Sequence, residues 1–419
     1  MSSFGRTMVA IILVTMMTMT YPGRAAASGA DPVGSMFSFN GFGTVGVVHS
    51  SEDQADFTDD ALKPKGAGYS SNWSAAVDSL IGAQITAHFT SQLSVVLQGI
   101  AEQNYNNTYT PHVEWANIKY QFTPDLTVRV GRIVEPSFLV SDFRKVKYAS
   151  AWIRPPTEVY SQNPITHTDG VDASYRLRLG EVASTLLANY GRDLRYRLAA
   201  GKSLDTQTAW AISDSTEYGP ALLRLGYTHA SITLNPAIAL FDAFRQFGPQ
   251  GTAIADKYEL VDKTDTILTI GASYDPGKWF AIAEWVRSRS DSFLGVSTAW
   301  YVSGGYRVGQ FTPYLTYAQV TQAQRTAPGL TVSGLPPSLA PFAAALNGGL
   351  NELLATTRPL QHTSSVGVRW DFMKDFDLKL QFDHTRLDAG SVGTLINIQP
   401  GFQPGGQFNL FSAAVDFVF

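Results

Sequence analysis

The chain of 419 residues contains no cysteine. Without thiols it cannot form disulfides, thiolate metal sites or a cysteine nucleophile. This absence suits a protein that crosses an oxidising compartment, where a free thiol would form stray disulfides. The composition therefore predicts a secreted chain that does not depend on cysteine chemistry.

Long apolar runs are also missing. Beyond residue 27 no stretch approaches the roughly 18 uninterrupted apolar residues of a membrane-spanning helix, and the mean hydropathy is -0.04. A helical membrane protein is therefore excluded. The formal net charge of -4 offers no basic surface for nucleic acid, so we expect no nucleic-acid partner.

Catalytic and metal-binding motifs are lacking too. The 7 histidines are scattered, and none forms an i, i+4 pair that could bind a metal on a helix. The sequence has no G-x-S-x-G nucleophile motif and no glycine-rich phosphate loop. We therefore expect no catalytic residues, no metal site, no cofactor and no enzymatic activity.

The N-terminal segment has the organisation of a secretory signal peptide. Arg6 lies in a short charged region, residues 8–21 are apolar, and Arg24 is followed by small residues up to Ala30. This order predicts a signal peptide of residues 1–27, with cleavage possibly as late as residue 30. The remaining residues, 28–419, are predicted to form a single domain.

Apolar residues then recur at every second position, which predicts β-strands. Each segment has about the length of a tilted transmembrane strand. The predicted strands are 36–48, 75–89, 93–105, 113–122, 126–133, 171–179, 182–190, 208–215, 222–233, 266–274, 279–287, 298–308, 311–320, 364–372, 376–388 and 408–419. The predicted fold class is all-β: a transmembrane antiparallel β-barrel of about 16 strands.

The links between these segments alternate in length, as an outer-membrane barrel requires. Short links with turn chemistry lie at 90–91, 123–125, 180, 275–278, 309–310 and 374–375, and the link at 216–220 fits less well. Long links lie at 50–74, 134–170, 191–207, 234–265, 321–363 and 389–407. We expect the short links on the periplasmic side and the long ones outside.

Side-chain parity predicts a polar lumen. In the sixth strand Val171, Tyr175 and Leu177 share one face, whereas Asp172 and Arg176 lie on the other. Because lipid-facing and lumen-facing residues alternate, the charged residues point inward, and a charged lumen holds water. A soluble sandwich with one wet face would show similar alternation but not the alternation of link lengths.

The last predicted strand is apolar at every second position from Phe411 to Phe419. A strand that alternates in this way up to a final aromatic residue resembles the closing strand of bacterial outer-membrane β-barrels. The resemblance implies that Phe419 is part of the signal read by the barrel-assembly machinery. It also implies an outer-membrane location in contact with lipid.

The link after the fifth strand contains Ser-Asp-x-Arg at 141–144 and Trp-x-Arg-Pro-Pro-x-Glu-x-Tyr at 152–160. At these residues the chain resembles trimeric Gram-negative porins, in which the third outward loop folds into the barrel and narrows it. The Pro-Glu-Phe-Gly-Gly loop motif of the best-known general porins is missing. The resemblance implies a homotrimeric diffusion pore for small hydrophilic solutes, with a constriction at 134–170.

A constriction needs a fixed backbone and charges placed across a narrow gap. Pro155 and Pro156 restrict the backbone of this loop. The candidate constriction residues are Asp142, Arg144, Lys145, Lys147, Arg154 and Glu158. The alternative is that Arg154 and Glu158 pair to brace the loop, while Lys145 and Lys147 face solvent.

Facing this loop, the predicted inward residues of neighbouring strands could form a basic wall. Its members are Lys119, Arg129, Arg176, Arg178 and Arg224. Arginines attract anions and hold carboxylates or phosphates in two-point contacts. Acidic residues at Asp78, Glu102, Asp172, Asp371, Asp377 and Asp383 are also predicted to point inward. We expect a preference for small organic anions such as carboxylates.

Two outward links, at 236–247 and 338–354, have apolar residues at helical spacing, which predicts short helices. Such helices would either pack on each other or bind an apolar part of a solute. The second possibility leads to an alternative function, a channel specific for partly apolar or aromatic compounds. A third possibility is a barrel lipase or protease with a triad assembled from distant strands, for example around His384.

Overall fold

The computed structural model describes residues 36–199, 202–234 and 237–419. The predicted signal peptide, residues 1–27, lies outside them. Sixteen long strands make up the main sheet. They are β1 (Phe37–Ser50), β2 (Leu80–His88), β3 (Leu93–Glu102), β4 (His112–Gln121), β5 (Leu126–Val134), β6 (His167–Leu179), β7 (Val182–Arg197), β8 (Ser203–Tyr218), β9 (Ala221–Leu234), β10 (Lys263–Tyr274), β11 (Trp279–Ser290), β12 (Val296–Tyr306), β13 (Phe311–Gln322), β14 (Gln361–Met373), β15 (Phe376–Leu387) and β16 (Gln407–Val418).

Each strand pairs antiparallel with the next, and the ends of the sheet meet. β16 pairs with β1 in a register that runs from Phe42 opposite Val418 to Ser50 opposite Leu410. β1 also pairs with β2. The barrel is thus closed, which leaves no strand edge free for pairing with another chain. The predicted antiparallel barrel of 16 strands is confirmed.

The short links are tight turns at one end of the barrel. Gly180 and Gly219 adopt positive φ angles of 63° and 53°, which glycine tolerates and most residues do not. The link predicted at 216–220 is only Gly219-Pro220, because β8 runs on to Tyr218. It therefore belongs with the other short turns.

One predicted long link was wrong. Residues 191–207 were expected to connect two strands, but β7 continues to Arg197 and β8 already begins at Ser203. Arg195 forms an ion pair with Asp205 across these extensions. Both extensions carry polar residues. The apolar alternation therefore ends before the strands do.

The barrel has an apolar outside and a polar inside. On β6, Val171, Tyr175 and Leu177 are between 40% and 46% exposed, whereas the intervening Asp172 is 2% exposed. On β15, Leu380 and Phe382 are exposed while Lys379 is fully buried. A water-soluble protein has the opposite arrangement, so this exterior suits hydrocarbon rather than water.

The helices lie in the long links. They are α1 (Thr157–Tyr160), α2 (Ile238–Arg245), α3 (Gly248–Tyr258) and α4 (Ala340–Thr356). α2 and α4 fulfil the two helix predictions, whereas α3 was not predicted because it begins with Gly-Pro-Gln-Gly. No helix in the described parts of the chain is both long and apolar enough to cross a membrane.

The apolar faces of α2 and α4 are buried against one another. Phe241 and Phe244 of α2 and Leu346, Leu350 and Leu354 of α4 belong to one hydrophobic cluster. Of the two interpretations of the apolar links, packing of the helices on each other is therefore the one that the structure supports.

Candidate constriction site

The link between β5 and β6, residues 135–166, lies inside the barrel. It contains two single 3₁₀ turns, Ser141–Phe143 and Lys147–Ala149, followed by α1. Its side chains reach strands on the far side: Arg154 contacts Ser412 of β16, and Tyr160 donates to Glu284 of β11 at 2.8 Å. We call residues 135–166 the inner loop.

Arg154 is the most firmly held basic residue of the inner loop. Its Nε and Nη2 atoms donate to both carboxylate oxygens of Asp78, at 3.0 and 2.5 Å, and Nη1 lies 3.4 Å from Asp383. The side chain is 5% exposed. Two-point pairing of this kind is the strongest ion-pair geometry in proteins, and it holds the pKa of Asp78 well below its usual value despite burial.

Lys147 shares the carboxylate of Asp78. Its Nζ donates to the Asp78 carbonyl at 2.9 Å and to Oδ1 at 3.1 Å. Like Arg154, it is buried. The expectation that Lys147 faces solvent is therefore wrong, since the residue fastens the loop to the segment before β2.

Glu158 is buried, and no basic side chain among the described residues forms an ion pair with it. Its Oε1 accepts hydrogen bonds from Gln361, at 2.8 Å, and from the Thr363 hydroxyl. Burial raises its pKa because a charge in this environment is poorly solvated. Glu158 does not pair with Arg154, so the suggested brace between these two residues is also wrong.

Lys145 crosses from the inner loop to the wall of β3. Its Nζ lies 2.5 Å from Glu102, and Lys63, from the link after β1, lies 3.7 Å from the same carboxylate. Lys145 is therefore not free in solvent either. Sequence reasoning missed Lys63, because nothing in the pattern of the first link indicates which of its residues reaches the lumen.

Arg144 and Asp142 are the remaining candidate constriction residues. Arg144 donates to the backbone carbonyls of Asn163 and Tyr160, at 3.1 and 3.0 Å, and thus braces the loop internally. Asp142 is exposed on its 3₁₀ turn. Among the residues that the structure describes, it forms no ion pair. The structure therefore brings Lys145, Lys147 and Arg154 onto wall carboxylates, whereas Asp142 is free to face solvent.

An apolar contact holds the other side of the inner loop. Phe138, Trp152 and Tyr160 pack with Tyr301 of β12 and Tyr314 of β13 in one buried cluster. The inward faces of β10 to β13 are thus largely covered by the loop. Phe138 was not singled out from the sequence, whereas Trp152 and Tyr160 belong to the motif at 152–160.

Two wall residues bind the loop backbone. Lys379 donates to the Lys147 carbonyl at 2.8 Å, and Arg369 donates to the Ser150 carbonyl at 3.1 Å and to that of Tyr148. Lys379 also lies 2.6 Å from Asp416. Backbone carbonyls without helical or sheet partners need such donors when buried. Both residues alternate with outward apolar residues of their strands, but alternation alone does not show what they contact.

The proposed basic wall is dispersed. Lys119 and Arg129 are opposite each other in register, and Arg129 pairs with Asp172 at 2.6 Å. Arg176 and Arg178 lie further towards the short turns, in exposed pairs with Glu217 and Asp125. Arg224 donates to the Pro136 carbonyl at 2.9 Å. Only Lys119 and Arg129 are brought together, and Arg224 instead supports the inner loop.

Two cavities of very different size lie beside the inner loop. A cavity of about 450 Å³ at the long-link end is lined by residues of β3, β4, β6 and β7 together with Lys63 and Lys145. It shares Lys63, Glu102 and Lys145 with a cavity of only about 30 Å³, which also borders Arg144 and Asp78. Lys63, Glu102 and Lys145 thus border both cavities, so this charged edge of the inner loop lies between them.

A metal site is not apparent. In the described residues no group of three or more histidine, aspartate or glutamate side chains is arranged to hold a metal ion. His384, considered for a catalytic triad, contacts Asn409 and Arg386.

No protein-family model and no curated protein matches the sequence. Solved structures do match. They include OmpF of Salmonella typhi in complex with daunomycin (TM-score 0.54, 10% identity, covering 91% of this chain and 97% of that one). An anion-selective porin from Comamonas acidovorans matches with a TM-score of 0.53 and 12% identity, over 91% and 99% of the two chains. The trimer form of OmpT from Vibrio cholerae matches with a TM-score of 0.50 and 10% identity, over 92% and 100%. At these identities the likeness establishes a shared porin-type barrel fold.

Proposed function

We propose that this chain is an outer-membrane diffusion pore for small hydrophilic solutes, constricted by the inner loop. The observation that carries the proposal is the narrow cavity at the edge of the loop, where basic loop residues face wall carboxylates. A polar lumen inside an apolar exterior supports a water-filled path through lipid. The short turns would face the periplasm and the long links the outside.

We further propose a preference for small organic anions such as carboxylates. Basic side chains outnumber acidic ones in the linings of both cavities. The wide cavity is lined by Lys63, Arg132, Lys145, Arg195 and Arg197 against Glu102 and Glu114. The narrow one is lined by Lys63, Arg144, Lys145, Lys147 and Arg154 against Asp59, Asp60, Asp78 and Glu102. Low-dielectric walls focus such an excess on a passing solute.

Planar-bilayer recordings of the purified protein test both statements. A pore gives discrete conductance steps. An anion preference gives a reversal potential in a KCl gradient that is shifted towards the equilibrium potential of chloride. Absence of conductance would contradict the pore, whereas a cation-directed reversal potential would contradict only the anion preference. Liposome swelling with a dicarboxylate, a sugar and a diamine of similar size would then rank the solutes.

We propose a homotrimer, inserted by the barrel-assembly machinery with Phe419 as part of its signal. The trimer form of OmpT with the same fold supports this assembly. Native mass measurement in mild detergent should give three copies of the chain. Phe419→Ala should lower the yield of folded barrel in the outer membrane, and unchanged yield would remove the residue from the signal.

A further inference from the structure

Basic side chains are unevenly distributed over the outer surface of the barrel. In the described strands, no lysine or arginine occupies an outward-facing position in the half of the barrel next to the short turns. In the half next to the long links, Arg287 and Arg289 of β11 and Arg386 of β15 face outward and are exposed. Arg289 pairs with Asp291. Neither Arg287 nor Arg386 forms an ion pair with a residue that the structure describes.

Arg386 lies at the edge of the apolar exterior. On the outward face of β15 it follows Leu380 and Phe382, which are both exposed, and it is separated by ten positions from Phe376 at the short-turn end. Ten residues of a strand tilted by about 35–45° rise about 25 Å, which is the height of the apolar band of a transmembrane barrel. Arg386 therefore lies where hydrocarbon ends and lipid headgroups begin.

A neutral histidine holds the guanidinium group of Arg386. The Nε atom donates to Nε2 of His384 at 3.2 Å, and Nδ1 of His384 lies 2.7 Å from Oδ1 of Asn409. Because an arginine N–H can only donate, Nε2 is the acceptor and the ring proton is on Nδ1, which donates to Asn409. Within the described parts of the chain, the two Nη atoms of Arg386 have no hydrogen-bond partner.

The neighbours of Arg386 leave its charge uncompensated. In register it is opposite His362 of β14 and Gln407 of β16. The carboxylate of Asp388 lies 4.0 Å from His362, and it forms no ion pair with Arg386. A guanidinium group with two free Nη atoms attracts an anion, and its planar fork matches two oxygens of a phosphate.

An exposed aromatic surface adjoins the guanidinium group on the side of the strand centres. Phe382 of β15 is directly opposite Phe411 of β16, and both rings are exposed. Trp73, which is also exposed, packs edge-on to Phe411 with 6.3 Å between the ring centroids. Aromatic rings at this level are typical of the boundary between lipid chains and water. An apolar surface next to an unpaired cation suits an amphiphile with an anionic headgroup.

We propose that Arg386 binds the phosphate of an anionic membrane lipid, with the acyl chains of that lipid along Phe382 and Phe411. His384 is a positioning residue, because its hydrogen bond to Nε leaves both Nη atoms for the phosphate. The site lies on the outside of the barrel, in the leaflet next to the long links. It does not require that the chain conducts solutes, so it is tested separately from the pore.

Native mass spectrometry of the purified protein in mild detergent tests the site, because one spectrum counts both bound lipids and copies of the chain. Dioleoylphosphatidic acid should bind saturably at one site per chain. Dioleoylglycerol, which has the same acyl chains but no phosphate, should bind at least tenfold more weakly. Inorganic phosphate in tenfold excess should not displace the lipid, since it has no acyl chains to contact the aromatic surface.

Arg386→Gln should weaken the binding of dioleoylphosphatidic acid about fivefold, the effect of one basic side chain at a membrane surface. The matched control is Arg289→Gln, which removes the same charge from the same end of the barrel. Because Arg289 already pairs with Asp291, this change should alter binding less than twofold.

Two variants of His384 test its positioning role. His384→Phe keeps a ring but removes the acceptor for Arg386, and should weaken binding about two- to fivefold. His384→Gln restores an acceptor and should restore binding. Equal losses in these two variants would overturn the positioning role.

Three results would overturn the lipid site itself. They are equal binding of dioleoylphosphatidic acid and dioleoylglycerol, displacement by inorganic phosphate, and unchanged binding in Arg386→Gln. A lower number of chain copies in the Arg386→Gln spectrum would also overturn it, because this surface would then be a contact between copies of the chain.

Discussion

Arg154 shows what a single residue contributes inside this barrel. It pairs with both oxygens of Asp78 and approaches Asp383, and all three side chains are buried. Among the described residues, removal of Arg154 would take the cationic partner from Asp383 and leave Asp78 with Lys147 alone, in a poorly solvated environment. The cost of breaking a buried pair is larger than that of breaking an exposed one.

We therefore expect Arg154→Met to lower the free energy of unfolding by about 3 to 5 kcal/mol. The matched control is Arg176→Met, because Arg176 pairs with Glu217 at 2.9 Å but both side chains are exposed. This change should cost at most about 1 kcal/mol. Urea unfolding in lipid vesicles, followed by tryptophan fluorescence, measures both; equal losses would contradict the difference between buried and exposed pairs.

Glu135, the first residue of the inner loop, is buried among hydroxyl and amide groups without a cation. Burial raises its pKa from the ordinary 4.5 to about 7. The folded protein therefore keeps a proton that the unfolded chain loses at lower pH, and the unfolding free energy falls as the pH rises from about 4.5 to about 7. From a shift of this size the loss is on the order of 3 kcal/mol.

Glu135→Gln should remove this part of the pH dependence and stabilise the protein at pH 8. Comparison of urea midpoints at pH 4.5 and pH 8 for both proteins checks it. The residue still accepts hydrogen bonds from Ser137 and Thr228 as glutamine, so folding should be retained. If the two proteins lose the same stability between these pH values, Glu135 is not the group responsible.

At the scale of elements, the inner loop is the part on which the proposed constriction depends. Lys145 and Lys63 converge on Glu102 at the narrow cavity. Neutralisation of that carboxylate would free two cations at the narrow point. Because the passage is confined, one charge there changes the local potential by an amount on the order of 1 kcal/mol.

Glu102→Gln should accordingly raise the chloride-to-potassium permeability ratio about two- to fivefold. Reversal potentials in planar bilayers measure it. Glu217→Gln serves as a control, since this exposed carboxylate lies at the short-turn end of β8, and it should change the ratio much less. An equal effect of both changes would indicate a general charge effect rather than a constriction at Glu102.

The strands could be predicted from the sequence because outward residues such as Val171, Tyr175 and Leu177 must be apolar in lipid. Where that requirement ends, prediction failed: β7 and β8 continue through polar residues around Arg195 and Asp205. The contacts between the inner loop and the barrel wall could not be predicted from the sequence either. Alternation shows that Asp78 and Lys379 point inward. It does not show which side chains contact each other across the lumen, as Asp78 and Arg154 do although they lie far apart in the chain.

At the scale of the whole molecule, the barrel has charged side chains inside and apolar side chains outside, which is the reverse of a water-soluble protein. Leu380 lies near the middle of β15 and is exposed on the outer face. Ser174 of β6 has the same parity as the buried Asp172 and faces inward. Equivalent charges at these two positions should therefore have very different costs.

We expect Leu380→Arg to destabilise the barrel in lipid vesicles by about 2 to 4 kcal/mol. Ser174→Arg, which directs the same side chain into the lumen, should cost less than about 1 kcal/mol. Folding yield and urea midpoint in vesicles provide the measurement. Comparable losses in the two variants would mean that the exterior of β15 does not contact hydrocarbon.

The partners of Arg154 have a consequence for the order of assembly. Asp78 precedes the inner loop in the chain, whereas Asp383 and Ser412 belong to β15 and β16, the last strands to be made. Contacts of such high sequence separation form slowly and late in folding. The inner loop can therefore make its full set of contacts only once β15 and β16 are in place, so the position of Arg154 depends on the same strands that close the barrel.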